Sequence, residues 1–281
     1  MARVGIAIVT YERRSLLERL VGALRELTGD PYELVVADDG SRDGSVEWCR
    51  SRGLRVVSGT NRGVAWNKNR GLFALAQLGC DPLLLIEDDA YPVVRGWERD
   101  WIEATRRWHH LAYHHAKAAL HTVSGSGTPA DPFVSPAASA VCLSVSAEVL
   151  ERVGFFDSRF RGWGHEHAEW TTRIKRAGYG YKEITLPDGR RPKAQLYLTG
   201  GLAGGKGTSF RNEDQARVNR ELQLRIAAEP LFRCPWRSDG ERNELLAEQT
   251  AAGIDGSELA RLLDARRARV NGGASGPPGE S

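Results

Sequence analysis

Through the first hundred residues, short apolar runs alternate with segments whose leucines recur at helical spacing. Val4–Thr10 (VGIAIVT) is apolar and β-branched at successive positions, which predicts a strand buried on both faces. Leu16, Leu17, Leu20, Leu24 and Leu27 then predict a helix, stopped by Gly29-Asp30-Pro31. Glu33–Ala37 is a second strand, residues 43–52 suit a short helix, and Leu54–Val57 is a third strand. Ala65–Leu78 predicts a helix closed by Gly79, and Pro82–Ile86 (PLLLI) a fourth strand. This rhythm with short connections implies an α/β fold: a Rossmann-like, mostly parallel central sheet flanked by helices. In such sheets ligands bind beyond the carboxyl ends of the strands. Polar and acidic residues collect there: Thr10-Tyr11, Asp38-Asp39 and Glu87-Asp88-Asp89.

From residue 96 the pattern changes. Trp97–His115 reads as one helix, Val141–Ser146 as a strand, and Glu166–Ala177 as an amphipathic helix ending at Gly178. Leu196–Thr199 is a last strand and Glu213–Ala228 a further helix, followed by polar helices over 241–269 expected on the outside. The expected organisation is one domain over 1–230 in two halves, 1–95 and 96–230. A helical extension over 231–270 and a Gly/Pro/Ser-rich, disordered tail over 271–281 follow.

Composition narrows the classes. With 281 residues, 27% charged and 41% hydrophobic, the chain has the makings of a buried core. A net charge of +3 gives no electrostatic case for nucleic acid or a membrane surface as partner. No apolar run approaches the ~20 residues of a membrane span. The N-terminus enters a strand directly, with no secretory signal pattern. Cys49, Cys80, Cys142 and Cys234 lie far apart without CxxC spacing, as reduced thiols of a cytoplasmic protein would. Oligomeric state is not legible.

Four stretches could carry chemistry. Glu87-Asp88-Asp89 puts three mutually repelling carboxylates at a strand end, which calls for a cation or strong donors nearby; oxygen ligands of this kind suit Mg²⁺ or Mn²⁺. The plainer reading is a solvated acidic loop. Asp38-Asp39-Gly40-Ser41 offers an acceptor for a ribose hydroxyl or a base N–H, or simply a turn. Gly162–Arg173 (GWGHEHAEWTTR) crowds two histidines and two glutamates around a helix start, with Trp163 as an aromatic platform and Gly164 permitting close approach. Glu166 and Glu169 lie one turn apart, where helix-dipole complementation is the structural alternative. His165-Glu166-His167 is not HExxH, so a zinc-protease site is excluded. Gly200–Gly207 (GGLAGGKG) approaches the nucleotide P-loop, but Gly207 stands where Ser or Thr must be; Lys206 fits a phosphate-covering loop instead. Gly125-Ser126-Gly127 fails as a dinucleotide fingerprint because Pro129 and Pro132 forbid the following helix. His110 and His114 have metal spacing on a helix, but a solvated face is the simpler expectation.

Taken in order, VGIAIVTYERRSLLERL, VVADDGSRDGS, NRGVAWNKNRGL, LLLIEDDAYP and GFFDSRFRGWGHEHAEWTTRIKRAGY resemble a family 2 glycosyltransferase of the GT-A fold over about residues 3–215. The resemblance implies a nucleotide-sugar donor, with UDP favoured, an acceptor of unknown class, a divalent ion, and transfer with inversion. It makes 1–95 the nucleotide-binding half and 96–230 the acceptor-side half, and places Thr10, Tyr11 and Asp39 at the base, with Asn69 and Arg70 flanking the nucleotide. Asp88 falls toward the ribose and Asp89 on Mn²⁺ or Mg²⁺. Glu166 matches the family's catalytic-motif glutamate, with Trp163 and Gly164 on the acceptor side. His167 stands where many members have Asp, so the base could be Glu166, His167 or Glu169, with Glu166 favoured because it matches the family glutamate and follows the open loop at Gly164. No histidine follows His167 to supply a late metal ligand; water completes the shell, or His165 or His167 does, and Lys206 could neutralise the diphosphate. A nucleotidyltransferase, or a catalytically silent nucleotide-sugar-binding module, is the alternative. A glycosidase needs no such nucleotide pocket.

Overall fold

The computed structural model describes residues 3–138, 141–205 and 212–272. Strand β1 (Val4–Thr10), helix α1 (Arg14–Leu27), β2 (Tyr32–Asp38), α2 (Ser45–Ser51), β3 (Arg55–Ser58), α3 (Val64–Gln77) and β4 (Leu83–Glu87) follow the expected alternation. Next come β5 (Ala90–Pro92), α4 (Glu98–Trp108), β6 (His110–Tyr113), the one-turn α5 (Ala116–Ala119), β7 (Phe133–Ser135), β8 (Cys142–Val145) and α6 (Ala147–Val153). The chain continues with α7 (Glu166–Arg176), β9 (Tyr181–Glu183), β10 (Lys193–Leu198), β11 (Leu202–Gly204), α8 (Glu213–Arg225), α9 (Asp239–Ala251) and α10 (Ser257–Gly272).

The main sheet runs β3-β2-β1-β4-β8-β6-β10-β7, with β9 also on β10. β3, β2, β1 and β4 are parallel, whereas β8 enters antiparallel to both β4 and β6. The parallel pattern therefore describes the first half, and the second half is mixed. Alternate residues of β1 serve opposite faces, as the pleat requires. Ile6 and Ile8 pack with Leu17, Leu20 and Leu24 of α1, and Ala7 and Val9 join the cluster containing Trp66 and Leu72 of α3. α3 lies so close to the sheet that a Cβ at Gly71 would come within 2.6 Å of that of Ala7.

Two expectations change. The helix expected over Trp97–His115 stops at Trp108, because His109 takes a left-handed φ of 67° and its N–H bonds back to Thr105. The chain then returns as β6, so His110 and His114 lie on no common helix face. His110 is fully buried, its ring nitrogens on the Ser144 carbonyl (2.8 Å) and Thr171 hydroxyl (3.1 Å). The C-terminal helices are also more than an outer layer. Leu245, Ile254, Ala260 and Leu263 belong to the same apolar cluster as α3. Of the tail expected over 271–281, Asn271 and Gly272 close α10, and residues 273–281 lie outside the described residues. Among the described residues, no helix is long and apolar enough to cross a membrane.

Burial, with a contribution from Lys175, lowers the His110 pKa to about 4 although its Ser144 bond opposes the shift. The unfolded imidazole binds its proton at ~6.5, so stability is full above that pH and is lost as pH falls toward the folded value. Urea unfolding of the wild type should lose about 2 kcal/mol between pH 6.5 and pH 5 that His110→Gln does not lose. Equal slopes would contradict the burial argument.

Candidate functional site

Four consecutive polar residues in the middle of α3, Asn67-Lys68-Asn69-Arg70, are all buried. Successive side chains diverge by about 100° around a helix, so the four face four directions. Asn67 Nδ2 donates to the carbonyls of Thr10 (3.1 Å) and Ala37 (2.9 Å), tying the ends of β1 and β2 together. Asn69 exchanges hydrogen bonds of 2.9 Å with the Phe156 backbone, holding the 154–160 loop. Arg70 reaches Asp39, and Lys68 reaches the end of β4.

These anchors shape a cleft of about 280 Å³ at the carboxyl ends of β1, β2 and β4. Thr10, Tyr11, Asp39, Glu87 and Asp88 line one side, with Gly162, Trp163 and Gln215 opposite. At the base of the cleft, Asp39 Oδ1 accepts from the Arg62 N–H (3.0 Å) and Arg70 Nη1 (2.7 Å), and Oδ2 from the Gly63 N–H (2.8 Å). Burial raises the Asp39 pKa against these donors. Arg70 itself is completely buried behind Asp39, so it can reach a ligand only through that carboxylate. Asp38, by contrast, folds the turn: its Oδ2 accepts from the Gly40 and Ser41 N–H groups and the Ser58 hydroxyl.

The three carboxylates after β4 have three different settings. Glu87 is paired with Lys68 at 3.1 Å. Asp88 accepts from the Thr10 hydroxyl (2.7 Å) and Arg13 (2.8 Å). Burial pushes the Asp88 pKa up to about 6, with Asp89 adding to the rise and Arg13 and Thr10 opposing it. Asp89 is buried, lies outside the cleft lining, and its Oδ1 has no hydrogen-bond partner among the described residues. Behind it, β11 pairs with β5, and Gly205 donates to the Asp89 carbonyl (3.1 Å). Lys206 follows and lies outside the described residues.

Across the cleft, the 162–165 loop docks on the start of α3: Val64 N–H bonds to the Gly162 carbonyl (2.9 Å). A side chain at Gly63, whose φ is 94°, would collide with the Gly162 backbone. Asn219 of α8 fixes the loop from behind by donating to the Arg161, Trp163 and Gly164 carbonyls. Glu166 then begins α7 almost fully buried, with Lys68 Nζ at 3.3 Å, His167 Nδ1 at 3.4 Å and the Gly164 N–H at 3.1 Å. Burial alone would raise the Glu166 pKa. Lys68 and His167 more than reverse that and hold it well below the usual carboxylate range. His167 is partly exposed beside it, and His165 is turned away to Gln223 (2.9 Å).

Glu169 does not join this group. Its carboxylate forks onto buried Arg173 (2.7 and 2.9 Å), which donates onward to the carbonyls of Val153, Phe155 and Leu231. Lys68, Arg13 and Asn219 are functional neighbours that the sequence reading does not single out. For Lys68 a signal exists: NKNR interrupts an otherwise apolar helix, GVAW on one side and GLFALA on the other.

Residues 5–77 match the Glycosyl transferase family 2 profile. The fold is similar to a crystal structure of GalNAc-T7 with UDP, GalNAc and Mn²⁺, with a TM-score of 0.55 at 14% identity over 79% of this chain and 48% of that one. The fold is that of the GT-A glycosyltransferases, and its first part, residues 5–77, is similar to family 2. A second GT-A likeness, to TarS of S. aureus, has a TM-score of 0.51 at 15% identity over 88% of this chain and 42% of that one. The chain thus spans about half the length of these structures or less. No curated protein matches it in sequence.

Glu169→Gln strands the Arg173 charge in the interior, which costs about 3 kcal/mol or more. Chemical denaturation should show that loss while calorimetry shows unchanged nucleotide binding. A binding defect without loss of stability would return Glu169 to the site.

Proposed function

We propose that the cleft binds a nucleotide-diphosphate sugar and transfers the sugar to an acceptor hydroxyl with inversion. The observation that carries this is a cleft at three strand ends, lined by Tyr11, Asp39 and Asp88 and faced by Gly162 and Trp163, whose loop leads directly into a carboxylate–imidazole pair, Glu166 and His167, just outside the lining. UDP is the favoured donor nucleotide. Asp39 already takes three hydrogen bonds, two on Oδ1 and one on Oδ2. A carboxylate has about four acceptor positions, so one remains on Oδ2. One remaining acceptor suits the single ring N–H of uracil. Guanine would ask for two acceptors side by side, and the Watson–Crick edge of adenine carries no ring N–H. UDP is also the nucleotide in the GalNAc-T7 complex. Tyr11 lines the same cleft and can stack on the base.

A divalent ion fits the acidic end. Glu87, Asp88, Asp89 and Glu166 set four carboxylates against two paired cations, Lys68 and Arg13, so a diphosphate meets surplus negative charge. Asp89, with its partnerless Oδ1, would hold Mn²⁺ or Mg²⁺. The described residues contain no cluster of three or more His, Cys, Asp or Glu able to form a full cage, and diphosphate and water would supply further ligands beside Asp89. When bound, such an ion would supply positive charge that stabilises the departing diphosphate.

The acceptor proton falls to the Glu166–His167 pair. A base works best with a pKa near the working pH, and Glu166 is held far below it. The imidazole of His167 is the better acceptor, with Glu166 orienting it and stabilising the imidazolium that forms, as in other carboxylate–histidine pairs. The sequence reading favours Glu166 over His167 and Glu169 as the base, because Gly164 lets substrate approach the loop before it and because it matches the family glutamate. Its contact with Lys68 moves the assignment to His167.

His167→Asn should lower kcat by about 10²–10⁴ and leave donor affinity unchanged. An active His167→Asn with an inactive Glu166→Gln would make the carboxylate the base. Turnover should also fall in EDTA and in Asp89→Asn; undiminished turnover in EDTA would contradict the metal assignment.

A further inference from the structure

Helix α9 lies behind the cleft and outside the family match, yet it bears on Asp39. Glu241, Glu244 and Glu248 recur at spacings of three and four, which places them on one face. That face grips two arginines. Glu248 forks onto Arg70, at 2.9 Å to Nε and 2.7 Å to Nη2. Glu244 and Glu241 take the two terminal nitrogens of Arg62 at 2.6 and 2.7 Å. Both arginines donate to the same Asp39 oxygen, Arg70 through its side chain and Arg62 through its backbone N–H. Gly59 passes so close to Glu248 that any side chain there would collide with the carboxylate.

We propose that Glu248 is a positioning residue for the base end of the donor site, acting through Arg70 on Asp39, so that α9 forms part of the nucleotide subsite. The inference rests on the reading that Asp39 accepts from a base N–H. The guanidinium is a rigid plane, and the Glu248 fork fixes that plane through Nε and Nη2. Nη1 is then left aimed at Asp39, where together with the Arg62 N–H it fills both positions on Oδ1, leaving the one open position on Oδ2 for the base. Without the Glu248 charge, Asp39 is the carboxylate that remains beside a buried cation. The pair closes on itself, and the oxygen meant for the base turns toward the arginine. The diphosphate end, formed by other residues, is untouched.

Calorimetry with two probes tests this: UDP, and ribose 5-diphosphate, which lacks the base. Both are titrated at fixed Mn²⁺ into the wild type, Glu248→Gln and Glu244→Gln. Glu248→Gln should raise the UDP dissociation constant by about tenfold, the size of one weakened charge-assisted hydrogen bond, and leave ribose 5-diphosphate within about twofold. In turnover, KM for the donor rises with it and kcat does not follow. Glu244 is partly exposed, so Glu244→Gln keeps the fold and should shift UDP in the same direction by less, through Arg62. Equal weakening of both probes, or unchanged UDP binding in both variants, overturns the role of α9. A wild type that binds UDP no more tightly than ribose 5-diphosphate overturns the Asp39 reading, and this inference with it.

Discussion

The ammonium of Lys68, buried between Glu87 and Glu166, is the contact on which the site depends. A charge taken out of water costs several kcal/mol unless it is paired at good geometry, and two carboxylates at 3.1 and 3.3 Å supply that pairing. One carboxylate ends β4 and the other begins α7. The bridge therefore sets the spacing between the strand that carries the acidic triplet and the helix that carries the proposed base. It also keeps Glu166 ionised, which makes that carboxylate a poor proton acceptor and fits the orienting role proposed for it beside His167.

The same logic extends along α3. A helix interior facing a sheet is ordinarily apolar, and each buried polar group there must find a partner. Asn67, Lys68, Asn69 and Arg70 find theirs in β1 and β2, in β4 and α7, in the 154–160 loop, and in Asp39 with α9. Elements remote in sequence are thereby registered on one turn of helix. Such networks are stabilising only when complete, which ties the integrity of the cleft to the integrity of the fold.

Much of the nucleotide-side architecture is legible in the amino-acid sequence. Continuous apolar runs such as VGIAIVT and PLLLI locate β1 and β4, and the rule that ligands gather at strand ends then marks Asp39 and Glu87-Asp88-Asp89. The break after Trp108 is not legible, because a left-handed turn usually announces itself with Gly or Asn and here the residue is His109. Neither are the partners of Lys68 and Arg70: Glu166 lies 98 residues from the first and Glu248 178 from the second, and no local pattern links them. Glu169 shows the opposite case. Its i,i+4 spacing to Arg173 is a plain sequence signal for an ion pair, and that pairing takes Glu169 out of the candidate bases.

The account turns on whether Lys68 and Glu166 are energetically coupled. A double-mutant cycle with Lys68→Met, Glu166→Gln and the pair, read by urea unfolding at pH 7, measures that directly. The account predicts that each single change is strongly destabilising, that the pair costs less than their sum, and that the coupling is about 1.5 kcal/mol or more. Additive effects would mean that the two side chains do not meet, and the proposed site would lose its central contact.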